Sequence, residues 1–263
     1  MHVNRYLERI GYAGPRTPDA ATLRGLHRAH MLAVPFENLS IHTGEKIQLT
    51  EDWLYEKIVM CRRGGFCYEC NGLFAALLRK LGFTVTLLSA RVRKDSGEGY
   101  GPEFDHMILK VDLDEPWLAD VGFGDSFLEP LKFVPGLEQD DPAGKFRIIE
   151  VEGDFGLDEW VAGAWQTQHL FSLTPHSLDE YKKMCHYHQT SWQSPFTRKI
   201  TCSLALPVGR ITLSGDRLIH TEHGTRDEKI LIGEEVIEGA LTGYFGVEIN
   251  LREARPRGKP GRN

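Results

Sequence analysis

Arg63-Gly64-Gly65-Phe66-Cys67-Tyr68-Glu69-Cys70-Asn71-Gly72-Leu73-Phe74-Ala75-Ala76-Leu77-Leu78-Arg79-Lys80-Leu81-Gly82 is the stretch on which the fold turns. Leu73, Leu77, Leu78 and Leu81 form one helical stripe, and Gly82 suits the left-handed residue that ends a helix. The spacing therefore predicts a helix from Cys67 to Leu81. Gly64 and Gly65 predict a tight backbone turn into it, which puts Cys67 in the first turn with helical N–H groups aimed at its sulfur. A helix N-terminus and neighbouring arginines lower a thiol from about 8.5 toward neutrality and make it a nucleophile. The competing reading is a structural cysteine acting as a small apolar residue.

Outward from this stretch the period changes. Before it, residues 4–10 and 22–34 read as helices, the second carrying Leu23, Leu26, His27 and His30 at helical spacing behind a Thr17-Pro18 opening. Pro35 ends that helix, and Thr50, with Glu51 and Asp52 after it, caps another that runs to Met60. After Gly82, residues 83–92, 106–113, 117–121, 146–152 and 160–173 read as strands, rich in branched and aromatic residues between turn signals. A hairpin follows at residues 210–213 and 217–221 around Ser214-Gly215-Asp216, then a helix over 234–244. Residues 252–263 are basic with Pro and Gly, the composition of a disordered tail. The chain is therefore α+β, with parts at 1–82, 83–200 and 201–263 whose boundaries rest on the change of period.

The 263 residues are 41% apolar and 26% charged, which excludes a disordered or fibrous chain. No apolar run approaches the ~20 residues that cross a bilayer, and the polar N-terminus lacks an export pattern, so no membrane partner is expected. Five cysteines, an odd number thinly spread, fit reduced thiols in a cytoplasm better than a secreted disulfide scaffold. A net charge of −6 without a long basic run in the body excludes a nucleic-acid partner. No heptad pattern points to an oligomeric state.

A second set of residues gives Cys67 its partners. His106-Met107-Ile108-Leu109-Lys110-Val111 and Trp117-Leu118-Ala119-Asp120-Val121 flank a turn and read as an antiparallel hairpin. With His106 directly opposite Asp120, their Cβ atoms lie ~4.5–5.5 Å apart and the carboxylate orients the imidazole. A one-residue slip would put them on opposite faces. Each also has a plain reading, as a strand-end histidine and a turn acceptor. Cys67, His106 and Asp120 together make a nucleophile, base and orienting acid suited to acyl transfer through a thioester.

Arg63 to Asn71 closely resembles the signature of the arylamine N-acetyltransferases. Pro35-Phe36-Glu37-Asn38-Leu39, Asp105-His106-Met107, Trp117-Leu118-Ala119-Asp120-Val121-Gly122-Phe123-Gly124 with Pro130-Leu131, and more loosely Ser194-Pro195-Phe196, are similar to its other motifs, in order. The resemblance implies a helical N-terminal region carrying the cysteine, a central β-barrel carrying histidine and aspartate, and a C-terminal α/β lid around a cysteine-protease-like core. It implies ping-pong transfer of acetyl from acetyl-coenzyme A, a co-substrate rather than a bound cofactor, to an arylamine, hydrazine or arylhydroxylamine. Phe36, Val92, Phe123 and Phe196 would line the acceptor pocket, with core packing the alternative for each and favoured for Val92. The Gly122, Phe123 and Gly124 turn would offer backbone donors near the coenzyme A pyrophosphate. Cys61 and Cys70 lie outside the family motif and are candidates for an oxidative disulfide with Cys67. Two rivals share these residues: a papain- or transglutaminase-like hydrolase, and a non-catalytic zinc protein using Cys61, Cys67-x-x-Cys70 and a histidine such as His106. No metal is expected.

Overall fold

The computed structural model describes residues 1–94, 96–222 and 224–251, so the expected disorder of 252–263 falls outside the described residues. The N-terminal third is helical: α1 (Val3–Arg9), α2 (Ala20–Ala33), a two-residue strand β1 (Phe36–Glu37), α3 (Leu39–Thr43), α4 (Glu51–Tyr55) and α5 (Cys67–Lys80). α2 is capped by Asp19, whose carboxylate accepts from the Thr22 amide at 2.8 Å, rather than opened by Thr17-Pro18. The helix expected through Met60 stops as an α-helix at Tyr55 and continues as a wider π-helical turn over Glu56–Met60, from which Lys57 points inward to Glu69.

Eight strands follow in one antiparallel sheet: β2 (Thr84–Val92), β3 (His106–Asp112), β4 (Pro116–Ala119), β5 (Leu131–Lys132), β6 (Gln139–Asp141), β7 (Gly144–Val151), β8 (Asp154–Val161) and β9 (Ala164–Phe171). Their order is β5-β4-β3-β2-β9-β8-β7-β6, so β5 and β6 are the two edges. The sheet curls until these edges meet and side chains bridge them. The Gln139 amide both accepts from the Lys132 N–H (2.8 Å) and donates to its carbonyl (3.0 Å), while the Asp141 carboxylate accepts from the Leu128 and Glu129 amides at 2.9 Å. The result is a nearly closed barrel whose seam is not a backbone ladder. The span 160–173, expected as one strand, is broken at Ala162 (φ 51°) and Gly163 (φ 87°), a two-residue hairpin turn between β8 and β9.

Helix α6 (Lys182–Thr190) precedes a second sheet built of β10 (Thr201–Leu206), β11 (Gly209–Ser214), β12 (Arg217–Glu222) and β13 (Thr225–Ile230), and α7 (Glu234–Phe245) completes the described chain. β1 from the N-terminal third is the opposite edge of this sheet, pairing Phe36 with Ser203.

Alternation along the strands builds separate cores. Leu88, Ile108, Leu118, Phe146 and Leu157 fill the barrel, while Val85, Met107, Leu109 and Val111 face outward onto the apolar stripe of α5. Leu213, Leu218, Leu241 and Phe245 form a third cluster between the second sheet and α7. The cores cross the sequence boundaries: Leu39 joins the third cluster, and Tyr181 and Cys185 join the helical one.

Candidate active site

Cys67 is the first residue of α5 and is only 3% exposed. Neither Gly64 nor Gly65 has a positive φ, so they do not serve the sharp turn their pairing suggests. They allow close approach instead. A Cβ on Gly64 would lie 1.9 Å from the Pro35 carbonyl oxygen, and Gly65 bridges to Phe36 of β1. Buried Arg9 clamps the preceding segment by donating to the carbonyls of Ile58, Ala33, Arg62 and Arg63 at 2.7–3.3 Å. The Glu69 carboxylate accepts from the Phe66 amide at 3.0 Å and caps α5. Its other oxygen takes Lys57 Nζ at 2.7 Å, and Lys57 lies 3.5 Å from Glu37, which also pairs with Arg63 at 2.8 Å.

That network changes the electrostatic expectation. Arg63 is engaged with Glu37 rather than aimed at the sulfur, and burial pushes the Cys67 thiol well above its ordinary value, against a smaller opposing pull from the Met107 amide. Burial therefore favours the neutral thiol.

His106 is the neighbour of Met107 in the chain. His106 begins β3 on the barrel-lining face, opposite Ala90, and Asp120 follows the end of β4. The β3–β4 register pairs Leu109 with Ala119, which by extension sets Asp120 against Ile108 rather than His106. The expected pairing is displaced by two residues, an even shift that keeps both side chains on one face and makes them diagonal neighbours. His106 Nε2 and Asp120 Oδ2 are 2.6 Å apart and both residues are buried. Burial opposes the charge on Asp120, but the neighbouring His106 and hydrogen bonds from His106 and Asn71 hold it below the usual carboxylate range. With Nε2 engaged, Nδ1 is the nitrogen left to exchange protons.

Two positioning residues escaped the sequence reading. Asn71, one helical turn after Cys67, donates to the Met107 carbonyl (2.7 Å) and to Asp120 Oδ1 (2.8 Å) and accepts from the Val121 amide (2.9 Å), tying the nucleophile's helix to both strands. His27 accepts the Asp120 backbone N–H through Nε2 (3.1 Å), so its Nδ1 carries the proton donated to the Leu128 carbonyl (2.9 Å). The i, i+4 spacing of Cys67 and Asn71 was a usable signal. His27 offered none beyond its helical stripe.

Among the expected pocket residues, Phe36 and Phe196 have ring centroids 6.1 Å apart, and Phe123 packs edge-on against His106 at 5.1 Å. Gly124, at φ 94°, leaves room for the Phe36 ring. Val92 lies opposite His169 on the barrel-lining face. The Gly122 amide, expected to face coenzyme A, donates inward to Asp120 Oδ1 at 2.9 Å. Beyond the turn a cleft of about 490 Å³ opens, lined by Asp125, Ser126, Gly209 and Arg210 among others.

A Cβ on Gly122 would sit 2.8 Å from both Cys67 Cα and Asn71 Nδ2. Gly122→Ala is therefore expected to lower kcat about a hundredfold by displacing the nucleophile. A kcat within threefold of wild type would show that this close approach does not matter.

Cys67 and Cys70 do not form a ligand set. The Cys70 thiol donates to the Gly65 carbonyl at 3.2 Å, Cys61 is exposed, and no three His, Cys, Asp or Glu side chains among the described residues are grouped to hold a metal. No helix of the described residues is long and apolar enough to cross a membrane.

A buried thiol and a carboxylate-paired imidazole suit an acyl-transfer enzyme, and a family described as N-acetyltransferase matches residues 19–254. A pineal gland arylamine N-acetyltransferase isozyme of Gallus gallus is 33% identical over 96% of both chains. An arylamine N-acetyltransferase of Escherichia coli (strain K12) is 36% identical over 84% of this chain and 80% of its own. The solved arylamine N-acetyltransferase of Salmonella typhimurium superposes with a TM-score of 0.90 over 95% of both chains at 30% identity. A Mycobacterium marinum relative solved in complex with CoA gives 0.88 over 94% of this chain and 93% of its own at 28% identity. The chain belongs to the arylamine N-acetyltransferase family.

Proposed function

We propose that this chain carries acetyl from acetyl-coenzyme A to an arylamine, hydrazine or arylhydroxylamine in two half-reactions through a thioester on Cys67. The observation that carries this reading is the buried His106–Asp120 pair, 2.6 Å apart, with Met107 hydrogen-bonded against the Cys67 sulfur. In the first half-reaction the thiol proton passes to His106 Nδ1 and the sulfur attacks the acetyl carbonyl. The bond to coenzyme A breaks, and the departing thiolate takes the proton back from His106. In the second, the acceptor nitrogen attacks the thioester, its proton goes to His106, and Cys67 leaves as the sulfur that His106 reprotonates. Asp120 holds the imidazole tautomer and stabilises its cation.

Burial favours transfer over the hydrolytic rival, because Cys67, only 3% exposed, keeps bulk water from the thioester. In this reading Phe36, Phe123 and Phe196 hold the apolar acceptor, with Val92 at the margin, and the Phe123 and Gly124 amides remain for coenzyme A. Three functional parts, 1–82, 83–200 and 201–263, supply nucleophile, base and lid. Five unpaired cysteines support a cytoplasmic site of action.

Electrospray mass of wild type after brief incubation with acetyl-coenzyme A and no amine is expected to rise by one acetyl group, about 42 Da, with no gain in Cys67→Ala. An adduct that survives in Cys67→Ala, or none on reduced wild type, would overturn the thioester route.

A further inference from the structure

His169 lies in β9 directly opposite Val92 of β2, and two pairs along the same face Ala90 stands opposite His106. The two histidines are therefore diagonal neighbours across β2 in the mouth of the barrel. Their ring centroids are 5.5 Å apart, and His169 also packs against Phe123 at 5.3 Å. It is completely buried, and neither ring nitrogen has a hydrogen-bond partner among the described residues. Burial holds its pKa down at about 3, so the ring is neutral at any working pH and offers one acceptor and one donor.

An imidazole with two unmet polar atoms destabilises the protein, because each buried group left unsatisfied keeps the cost of leaving water. Phe171, two residues along the same strand face, shows that an apolar ring fits this wall without that cost. The unmet nitrogens belong to a ring packed against both Phe123 and His106.

We propose that His169 is the residue that orients the acceptor: its unprotonated nitrogen takes a hydrogen bond from the attacking nitrogen of the arylamine or hydrazine. This inference rests on the thioester reading above. A primary amine has two N–H bonds and one lone pair. His169 holds one N–H while the lone pair faces the thioester carbonyl. The C–N bond forms, the C–S bond breaks, and the other proton passes to His106 and then to the Cys67 sulfur.

The test uses aniline as the probe and measures discharge of pre-acetylated full-length enzyme separately from its acetylation. In His169→Phe, the second-order rate constant for discharge by aniline is expected to fall about tenfold, while acetyl-coenzyme A still adds one acetyl to Cys67. His169→Gln, which keeps an acceptor and a donor, is expected to recover most of that loss. Thermal stability of His169→Phe should equal or exceed that of wild type, a shift that a structural role would reverse. Discharge of His169→Phe within twofold of wild type overturns the proposal. So does a parallel loss of acetylation, which would make His169 a support for His106. Absence of the adduct in wild type would instead count against the thioester reading.

Discussion

Asp120→Asn is expected to lower kcat about 10³- to 10⁴-fold while leaving the fold intact. The size follows from how completely the carboxylate is used. Oδ2 takes the His106 Nε2 proton at 2.6 Å, and Oδ1 takes both the Asn71 amide and the Gly122 N–H at 2.8 and 2.9 Å. An asparagine has only one oxygen to face three donors. If its NH₂ faces His106, Nε2 must become the acceptor and the proton moves to Nδ1, the nitrogen that should receive the thiol proton. If its NH₂ faces Asn71 and Gly122 instead, donors oppose donors in a buried site, and the helix bearing Cys67 loses its tie to the strand. Both arrangements also remove the negative charge that stabilises imidazolium. The check is kcat together with the rate of acetyl adduct formation. A variant retaining a tenth of wild-type kcat would show that His106 does not depend on Asp120.

Lys57→Met is expected to be the most destabilising single change outside the reacting groups, costing about 3–5 kcal/mol and lowering Tm by about 10 °C. Lys57 is 4% exposed at its side chain and contacts Glu69 and Glu37, both fully buried. Burial works against its charge, yet Glu37 and Glu69 hold its pKa above the usual lysine value. Without it, Arg63 still answers Glu37, but Glu69, which burial already pushes up to about 7, loses its cation and must take up a proton to stay buried. Glu69 also caps the helix that presents Cys67, so activity should fall with stability. Adding Glu69→Gln should restore part of the lost Tm, because the buried acid that has lost its cation is then gone. A Tm within 2 °C of wild type for Lys57→Met would refute this account.

What the sequence revealed depended on whether the signal was local. Helix α5 was legible because its leucine stripe and Gly82 are periodic features, and its observed bounds, Cys67–Lys80, differ by one residue at the end. The His106–Asp120 face was legible because parity survives a two-residue slip. The β8–β9 turn was hidden by apolar residues that continue through Ala162 and Gly163, and the fully exposed β13 lacks the alternation that marks a strand. The supports of the site were least visible. Arg9, His27 and Lys57 reach partners brought together only by the fold, such as Leu128 for His27, and no spacing rule encodes such contacts. Arg63 was visible but misleading, since its charge is claimed by Glu37, a glutamate 26 residues earlier.

The pairing of β1 with β10 has a consequence for the order in which the chain can assemble. Phe36 is made early, but the strand that fixes it, through Ser203, emerges from the ribosome only after the whole barrel has been synthesised. Elements joined by short loops fold first, and contacts spanning most of the chain close last. The helices and the barrel can thus take shape around Cys67, His106 and Asp120 while the wall bearing Phe36 still waits. A nascent chain released before β10 would carry Cys67, His106 and Asp120 without the strand that fixes Phe36, with the edge of β1 open to pair with other chains.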